Sequence, residues 1–293
     1  DRRLLWDQVL LPLRAGRSGA ALLHCASGTM PLISGLPVIV TVHDVAWLKA
    51  QAHARSYARL YFGTFSLRRY CKARHVVVDS HFSRAELLRL VEIEGHKVSV
   101  VYPGVSADFS GVTRTGKTTG IILVVGTVEL RKNLEMLIRA LPELPARIVS
   151  LGPSTPYQKK CEALARRLHV ADRIEFRGYV TRTELLEWYA RAQVAAVPSR
   201  YEGFGYAVAQ ALCAGLPVLV SDSSSLPEIA AGDATLVAAD DATAWQGALS
   251  TALLRDPPTE SQARAVRERS IARFSWSSSA RTMRDVYATV LRN

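Results

Sequence analysis

The sequence predicts an α/β protein built from two doubly wound parallel sheets. Short β-branched apolar runs alternate with helix-like segments along the chain, which is typical of parallel strands joined by crossover helices. Residues 106–120 interrupt this alternation with a stretch rich in Ser, Thr and Gly that has no hydrophobic periodicity. Because 293 residues are enough for two moderate cores, we place the interdomain linker there and expect one sheet on each side.

The first domain is predicted over residues 1–112. Four apolar runs have the length and composition of buried strands: Ala21–His24, Val38–Val42, His75–Val78 and Val98–Val101. Helices are predicted between them over Ser56–Lys72 and Ser83–Val91. The second strand ends at His43 and Asp44, so we expect both side chains at the carboxyl edge of the first sheet.

The second domain is predicted over residues 120–275. Its strands are expected at five apolar runs: Ile121–Val125, Ala146–Leu151, Ile174–Phe176, Val194–Val197 and Val218–Val220. A helix is predicted over Ala207–Ala214, because Gly215 and Pro217 supply a C-cap and a stop. Two further helices are expected after the break at Pro257-Pro258.

The composition is that of an ordinary globular protein with a large positive charge. Hydrophobic residues make up 48% of the chain and charged residues 22%, and no apolar run approaches the roughly 20 residues that span a bilayer. The net charge is +11, and residues 45–78 carry basic and aromatic side chains without one acidic residue. That stretch fits equally well a helix on an anionic membrane surface and a core-packed helix with a solvated basic face. No nucleic-acid-binding motif is present, so we expect no nucleic-acid partner.

The cysteines indicate a reducing compartment. The four residues lie far apart and show no C-x-x-C spacing: Cys25, Cys71, Cys161 and Cys213. We therefore expect neither a disulfide framework nor a structural zinc site, and a cytoplasmic location.

The most informative segment is Pro198–Tyr206, which follows a predicted strand. It supplies a carboxylate at Glu202, glycines at Gly203 and Gly205, and then the start of a helix. Ligands of α/β proteins bind where strands end and helices begin, because amides and the helix dipole converge there. Glycines let that backbone approach an anion closely. Taken alone, the segment would fit a tight turn with one solvated Glu better than a ligand site.

The sequence that follows reverses this preference. The helix is followed by Gly215-Leu216-Pro217, another strand, and a Ser-rich loop that closes with Pro227-Glu228. From Ser199 to Glu228 the chain resembles the signature of the family 4 retaining glycosyltransferases, which have the GT-B fold. The resemblance implies two Rossmann-like domains facing across a cleft and a C-terminal helix, within 276–293, that crosses back to the first domain. It also implies a nucleotide-diphosphate sugar as co-substrate and no further cofactor.

A basic loop is predicted at the diphosphate of such a donor. Gly126 opens the loop between the first strand and first helix of the second domain, the crevice in which a pyrophosphate is expected. Arg131 and Lys132 offer a guanidinium fork and a point charge to phosphate oxygens, and the family places an Arg and a Lys there. The competing interpretation is an exposed basic helix start, which the helix dipole disfavours.

The resemblance assigns further contacts with the donor. It implies that Glu202 contacts hydroxyls of the donor sugar, while the amides around Gly203, Phe204 and Gly205 hold the distal phosphate. His43 matches the family's cleft histidine, which faces the donor sugar. The predicted catalytic residues are Glu202, His43, Arg131 and Lys132.

Recognition of the nucleotide is where this chain departs from the family. Gly178-Tyr179 matches the loop that reads the nucleobase, although a simple strand-end turn fits almost as well. Eight positions after Glu202 the family has a second Glu that hydrogen-bonds the ribose, and here that position is Gln210. A neutral amide is a weaker acceptor than a carboxylate, so we expect weakened ribose recognition and tolerance of a deoxyribose donor such as a dTDP-sugar. By resemblance, the pair His43-Asp44 favours GDP-mannose.

No metal is expected in the reaction. The sequence has no D-x-D triplet and no His, Asp or Glu cluster with metal-ligand spacing. Arg131, Lys132 and helix dipoles are expected to neutralise the leaving diphosphate instead. The resemblance implies retention of configuration at the anomeric carbon.

These patterns predict a glycosyltransferase that moves a hexose, with mannose favoured, to a glycan or lipid-linked acceptor in bacterial surface polysaccharide synthesis. Its expected location is the cytoplasm or the inner face of the plasma membrane. The first domain is expected to be short by comparison with the family, without its initial strand and Gly-rich loop, so either the sequence is a fragment or the protein functions without that loop. The short first domain and Gln210 favour a non-catalytic sugar-nucleotide-binding or partner subunit as the alternative. A second alternative is a P-loop nucleotidase, because Gly111–Thr118 fits G-x-x-x-x-G-K-[ST], although the required strand and helix do not flank it.

Overall fold

The computed structural model describes residues 2–45, 68–114 and 119–292. The chain divides into two compact units. The first contains Asp1–Pro103 and Ser277–Asn293, and the second contains Gly104–Trp276. Each unit has its own parallel sheet, which confirms the α/β prediction of two Rossmann-like domains.

The sheet of the first unit has four strands in the order β1-β2-β3-β4. The strands are β1 Leu23–Cys25, β2 Val38–Val42, β3 His75–Val78 and β4 Val98–Val100. All five residues of β2 are buried, as expected for a central parallel strand that is covered on both faces.

The helices of the first unit depart in part from the predictions. Among residues 2–45 and 68–103, they are α1 Arg2–Leu5, a π-helical turn Trp6–Leu10, α2 Leu11–Arg17, α3 His81–Leu90 and a 3-10 turn Gly95–Lys97. The stretch from Arg2 to Arg17 was not predicted. Helix α3 begins two residues before the predicted Ser83, because the Ser80 side chain accepts a hydrogen bond from the Ser83 amide and caps the helix there.

The sheet of the second unit has six parallel strands in the order β10-β9-β8-β5-β6-β7. The strands are β5 Ile121–Val125, β6 Arg147–Leu151, β7 Ile174–Gly178, β8 Val194–Val197, β9 Val218–Ser221 and β10 Thr235–Val237. The order runs outward in both directions from β5 and β8, so the sheet is doubly wound. Its topological switch point, where such sheets bind ligands, lies between β5 and β8.

Helices cover this sheet and bury a core around Trp245 and Leu249, both of which are fully buried. They are α4 Leu134–Ala140, α5 Pro156–Arg167, α6 Arg182–Arg191, α7 Tyr206–Cys213, α8 Leu226–Ala230, α9 Ala242–Leu254 and α10 Glu260–Phe274. Helix α7 begins and ends one residue before the predicted Ala207–Ala214. Gly215 follows the helix with φ 65°, the left-handed conformation that a glycine after a helix commonly adopts.

The boundary between the units differs from the predicted linker at 106–120, since the described part of that stretch packs within the second unit. Phe109 is fully buried and meets the ring of Tyr189 edge-on at 5.1 Å. The Arg114 guanidinium donates to the carbonyls of Gly215 and Ala192 at 3.3 and 2.9 Å. Scattered contacts, among them the buried Phe109 and Val112 and the half-buried Arg114, hold this segment without hydrophobic periodicity. For that reason its composition resembles that of a linker.

The closing helix α11, Trp276–Arg292, packs against the first sheet from Ser277 onward. Val286 and Val290 are buried in one cluster with Ile39, Val77 and Val101. The hydroxyl of Tyr287 and the side chain of Thr41 lie 2.7 and 2.8 Å from the two ring nitrogens of His24.

Three predicted features fall wholly or partly outside the described residues. Residues 46–67 are not described, and they include most of the basic aromatic stretch 45–78 and most of the predicted helix Ser56–Lys72. Of the P-loop pattern 111–118, residues 115–118 are not described. The element that precedes Gly111 is a 3-10 helix, Ala107–Phe109. The element that follows the pattern is strand β5, which begins at Ile121. A P-loop needs a strand before it and a helix after it, so these flanking elements do not support the nucleotidase alternative.

Candidate functional site

The predicted donor loops meet at the switch point of the second sheet. Strand β5 leads into Gly126, and β8 leads into Pro198 and Ser199. Because β5 and β8 are parallel neighbours, their carboxyl ends open at the same edge, and both following loops lie there.

Close backbone packing shapes the first loop. Gly152 has φ 146°, and a Cβ at this position would overlap the carbonyl group of Gly126. Gly126 itself has φ 136°, and the Lys132 side chain folds over it, with Cε 3.5 Å from where a Cβ would lie. The two glycines therefore allow the loops that follow β5 and β6 to approach each other closely, and they leave room for the Lys132 side chain.

Glu202 brings the two predicted cations together. Its Oε2 accepts from Nη1 of Arg131 at 2.9 Å, and its Oε1 accepts from Nζ of Lys132 at 2.5 Å. The Arg131 Nη1 also donates to the carbonyl of Tyr201 at 3.1 Å, and Nε pairs with Glu129 at 2.8 Å. The structure thus places Glu202, Arg131 and Lys132 in one cluster although 70 residues separate Lys132 from Glu202.

The cluster is buried and close to electrically neutral. The Glu202 side chain is 8% exposed and those of Arg131 and Lys132 are each 20% exposed. Burial by itself raises the pKa of Glu202, but the positive charges of Lys132 and Arg131 outweigh it and hold the pKa below its ordinary value. With Glu129 included, two cations face two carboxylates.

Arg200 supports the loop that carries the cations, a role that the sequence analysis did not identify. Its backbone amide donates to the carbonyl of Arg131 at 2.8 Å. Its guanidinium pairs with Asp240 at 2.6 Å and with Glu135 at 3.1 Å. Its position inside the Pro198–Tyr206 segment was the only signal in the sequence that pointed to it.

The Ser-rich loop holds the backbone around Glu202. The Glu202 amide donates to Oγ of Ser224 at 2.9 Å. The Ser225 hydroxyl lies within hydrogen-bond distance of the carbonyls of Glu202 and Phe204, at 3.0 and 2.9 Å. These contacts explain why serines at this loop accompany the Glu-Gly-Phe-Gly segment.

Gly205 forms the entry to helix α7. It adopts φ 99°, and a Cβ there would lie 2.8 Å from Cδ2 of Leu226, so both backbone and space require glycine. In the first turn of the helix, the amide of Val208 donates to the carbonyl of Gly205 at 3.0 Å. Phe204 is buried, with edge contacts to Tyr206 and Phe274 at 5.5 and 5.6 Å between ring centroids.

The predicted nucleotide residues lie in the same unit. The buried Tyr189 hydroxyl donates to Oε1 of Gln210 at 3.2 Å. Gly178 ends β7 with φ 66°, and its carbonyl accepts from the amide of Gly152 at 2.7 Å. The side chain of Tyr179 is 88% exposed. Tyr189 was not predicted as a partner of Gln210, because nothing in the local sequence connects the two.

His43 belongs to the first unit, at the end of β2. Its Nδ1 lies 2.8 Å from Oδ2 of Asp79, and its Nε2 lies 2.9 Å from the carbonyl of Ala26. The hydrogen bond to Asp79 is the main cause that raises the pKa of His43 to about 9, against the lowering effect of burial. His43 is therefore a cation at neutral pH. Asp79 could have been found from the sequence, since it follows β3, the parallel neighbour of β2.

The described residues contain neither a candidate metal cluster nor a helix that could span a membrane. Across 2–45, 68–114 and 119–292, no three His, Cys, Asp or Glu side chains converge in a way that could hold a metal ion. Within the same ranges, no helix combines the length and the apolar character that crossing a bilayer requires.

Comparison with protein families gives two matches that together cover most of the chain. Residues 107–269 match the model described as Glycosyl transferases group 1. Residues 2–109 match the model described as Glycosyltransferase Family 4.

Curated relatives carry related names. The chain is 31% identical to D-inositol 3-phosphate glycosyltransferase of Xylanimonas cellulosilytica over 86% of its own length and 66% of that protein. It is 30% identical to O-antigen chain mannosyltransferase B of Escherichia coli over 57% of its own length and 48% of that protein. The chain thus spans less than two thirds of the length of these relatives.

Solved structures share the fold. Sucrose-phosphate synthase from Thermosynechococcus elongatus has a TM-score of 0.76 at 22% identity, covering 96% of this chain and 76% of that one. HepE of Anabaena, in complex with UDP and glucose, has a TM-score of 0.77 at 16% identity, covering 97% of this chain and 83% of that one.

Proposed function

This chain belongs to the group 1 family of glycosyl transferases, and on that basis we propose that it transfers a sugar from a nucleotide-diphosphate donor to an acceptor hydroxyl. The observation that carries the proposal is the cluster of Arg131, Lys132 and Glu202 at the switch point of the second sheet. It combines two positive charges, which can bind a diphosphate, with a carboxylate, which can accept hydrogen bonds from the hydroxyls of a sugar.

The diphosphate subsite is proposed at Arg131 and Lys132. Both cations are mostly buried, and in such surroundings a charge attracts an anion more strongly than it does in water. The N-terminus of helix α7, opened by Gly205, adds amides and the positive end of the helix dipole. These groups would also stabilise the negative charge that develops on the leaving diphosphate.

We propose that the reaction proceeds with retention. The bond between the anomeric carbon and the oxygen of the distal phosphate breaks, and the acceptor oxygen bonds to that carbon on the same face. The acceptor's proton passes to the departing phosphate oxygen, so that the products are the glycoside and the nucleoside diphosphate. Glu202 would position the sugar by accepting hydrogen bonds from its hydroxyls, and this role needs no covalent bond to the sugar.

His43 is proposed to supply a positive charge rather than to act as a base. Both of its ring nitrogens face acceptors, the Asp79 carboxylate and the Ala26 carbonyl. An imidazole that holds protons on both nitrogens at neutral pH cannot accept another.

Gln210 is proposed as the ribose contact, with Tyr189 fixing its orientation. Because the Tyr189 hydroxyl donates to Oε1, the amide group is turned so that its NH2 remains for a ligand. An NH2 group donates to a ribose hydroxyl but cannot accept from it, so a 2′-deoxy donor such as a dTDP-sugar should be tolerated.

The acceptor is proposed to be a glycan or a lipid-linked glycan of a bacterial surface polysaccharide, reached at the inner face of the plasma membrane. The net charge of +11 favours an anionic acceptor or surface. The name of the Escherichia coli relative, O-antigen chain mannosyltransferase B, supports a mannose donor and an acceptor of this class. The name of the Xylanimonas relative, D-inositol 3-phosphate glycosyltransferase, supports an anionic acceptor. GDP-mannose is the first donor to test.

The test is release of nucleoside diphosphate by the purified chain from UDP-glucose, GDP-mannose and a dTDP-hexose, with and without a lipid-linked acceptor. A rise in the unfolding temperature with the matching diphosphate should accompany turnover, because a ligand that binds only the folded state stabilises it. Diphosphate binding without any transfer or hydrolysis would favour the non-catalytic binding subunit. The absence of both binding and turnover with every donor would contradict the proposal.

A further inference from the structure

We infer that Glu202 is a built-in competitor of the diphosphate: it neutralises Arg131 and Lys132 through two ion pairs and must leave them when the donor binds. This inference rests on the proposed function, because it assumes that a sugar nucleotide enters this subsite. Its consequence is that the site discriminates between the intact donor and the nucleoside diphosphate product.

The geometry leaves Glu202 fully committed to the cations. Each carboxylate oxygen has its own cationic partner, Arg131 at 2.9 Å and Lys132 at 2.5 Å. The side chain is 8% exposed, so water reaches it poorly. A buried carboxylate is stable only while it is paired.

Addition of a diphosphate upsets the charge balance of the cluster. Arg131 and Lys132 are matched by Glu129 and Glu202 before any ligand arrives. Several further negative charges next to a buried carboxylate would repel it, and the repulsion is strong because the surroundings are of low polarity. The diphosphate can therefore hold both cations only if Glu202 moves away from them.

The sugar of the intact donor compensates for this displacement, whereas a bare nucleoside diphosphate does not. Sugar hydroxyls beside the diphosphate would donate to the freed carboxylate, and such hydrogen bonds to a charged acceptor are strong. Without a sugar, the carboxylate stays buried and unpaired. After transfer, Glu202 can return to Arg131 and Lys132 and thereby promote release of the product.

The experiment compares the wild type with Glu202→Gln, which keeps the shape of the side chain and removes its charge. Dissociation constants are measured by calorimetry for UDP, GDP, dTDP, inorganic pyrophosphate and the sugar nucleotide of the tightest diphosphate. We expect Glu202→Gln to bind the diphosphate and pyrophosphate about tenfold more tightly or better, and to gain much less for the sugar nucleotide. The preference of the wild type for the intact donor should shrink accordingly.

Glu129→Gln is the matched control, because Glu129 pairs with Arg131 alone and its side chain is 25% exposed. It should tighten diphosphate binding clearly less than Glu202→Gln does. Glu202→Asp provides a second variant should the first fail to fold, because the shorter carboxylate cannot reach both cations at once. It should also bind the diphosphate more tightly than the wild type.

The outcomes separate this inference from the proposed function. A wild type that binds a diphosphate, together with folded Glu202 variants that bind it equally or more weakly, overturns the competitor role and leaves the proposed function intact. If neither the wild type nor the variants bind any of these probes, the proposed donor site itself is wrong.

Discussion

The pairing of His43 with Asp79 allows the electrostatics of the first unit to be tested without any ligand. Asp79 is the main cause of the raised pKa of His43, about 9, and the Ala26 carbonyl and Asp44 contribute less. Replacement of Asp79 by Asn removes the carboxylate at 2.8 Å and keeps the size of the side chain. We expect the pKa of His43 to fall close to the ordinary value of 6.5, because burial then opposes protonation with little compensation.

The same pair should make stability depend on pH. A folded-state pKa of about 9 against 6.5 in the unfolded chain corresponds to about 3 kcal/mol as an upper limit. Because the His43 side chain is 59% exposed, screening by water reduces this to about 1 kcal/mol. Since folding raises the pKa, this stabilisation is fully present below pH 6.5 and is lost as the pH rises through 9.

The assay is an NMR titration of the His43 ring protons, combined with urea unfolding at pH 6 and pH 9.5. The difference in unfolding free energy between the wild type and Asp79→Asn should be larger at pH 6 by about 1 kcal/mol. Asp44→Asn is the control, since Asp44 is the smallest of the causes acting on His43, and it should change the titration only slightly. A wild-type His43 that titrates near 6.5, or one whose titration Asp79→Asn does not move, would refute this reasoning.

Three further predictions concern the second unit. Lys132→Met should weaken binding of the nucleoside diphosphate about tenfold to hundredfold in calorimetry, because a charged hydrogen bond to phosphate is lost; unchanged affinity would place the diphosphate elsewhere. Gln210→Glu should raise the preference for a ribonucleotide over its 2′-deoxy form about tenfold, and equal affinities in that variant would exclude position 210 as the ribose contact. Gly152→Ala should lower the unfolding free energy by more than about 2 kcal/mol, because its Cβ would overlap the Gly126 carbonyl. The control Gly247→Ala, in a helix with open space around it, should be neutral or slightly stabilising.

Most strands of the second sheet could be predicted from the sequence because they are short, largely apolar runs. The predicted bounds of β5 and β8 are those observed. Strand β7 extends beyond Phe176 to Gly178, since its last residues pair through the backbone and not through apolar side chains. The N-terminal helices were missed because Pro12 and Gly16 interrupt the segment, although proline fits the first turn of α2 without breaking it.

The residues of the candidate site could be predicted from the sequence more readily than the contacts between their side chains. Arg131, Lys132 and Glu202 each follow a strand of a parallel sheet, so the sequence alone indicated that they share one edge. Which carboxylate pairs with which cation depends on side chains that are 70 residues apart in the chain, and no local pattern encodes that choice. For the same reason, the contact between Tyr189 and Gln210 became visible only in the structure.

Because the donor cluster is close to electrically neutral, it does not account for the positive net charge of the chain. The chain carries a net charge of +11, yet Arg131 and Lys132 are matched by Glu129 and Glu202. The excess positive charge therefore lies outside the donor site and cannot be explained by the donor's diphosphate. A positive long-range field attracts any anionic molecule or surface that approaches the protein, and that points to an anionic acceptor or surface.

If the acceptor or surface is anionic, raising the salt concentration should weaken acceptor binding strongly, because exposed charges are screened. Donor binding should change less, because Arg131 and Lys132 are each only 20% exposed and partly buried charges are screened less than exposed ones.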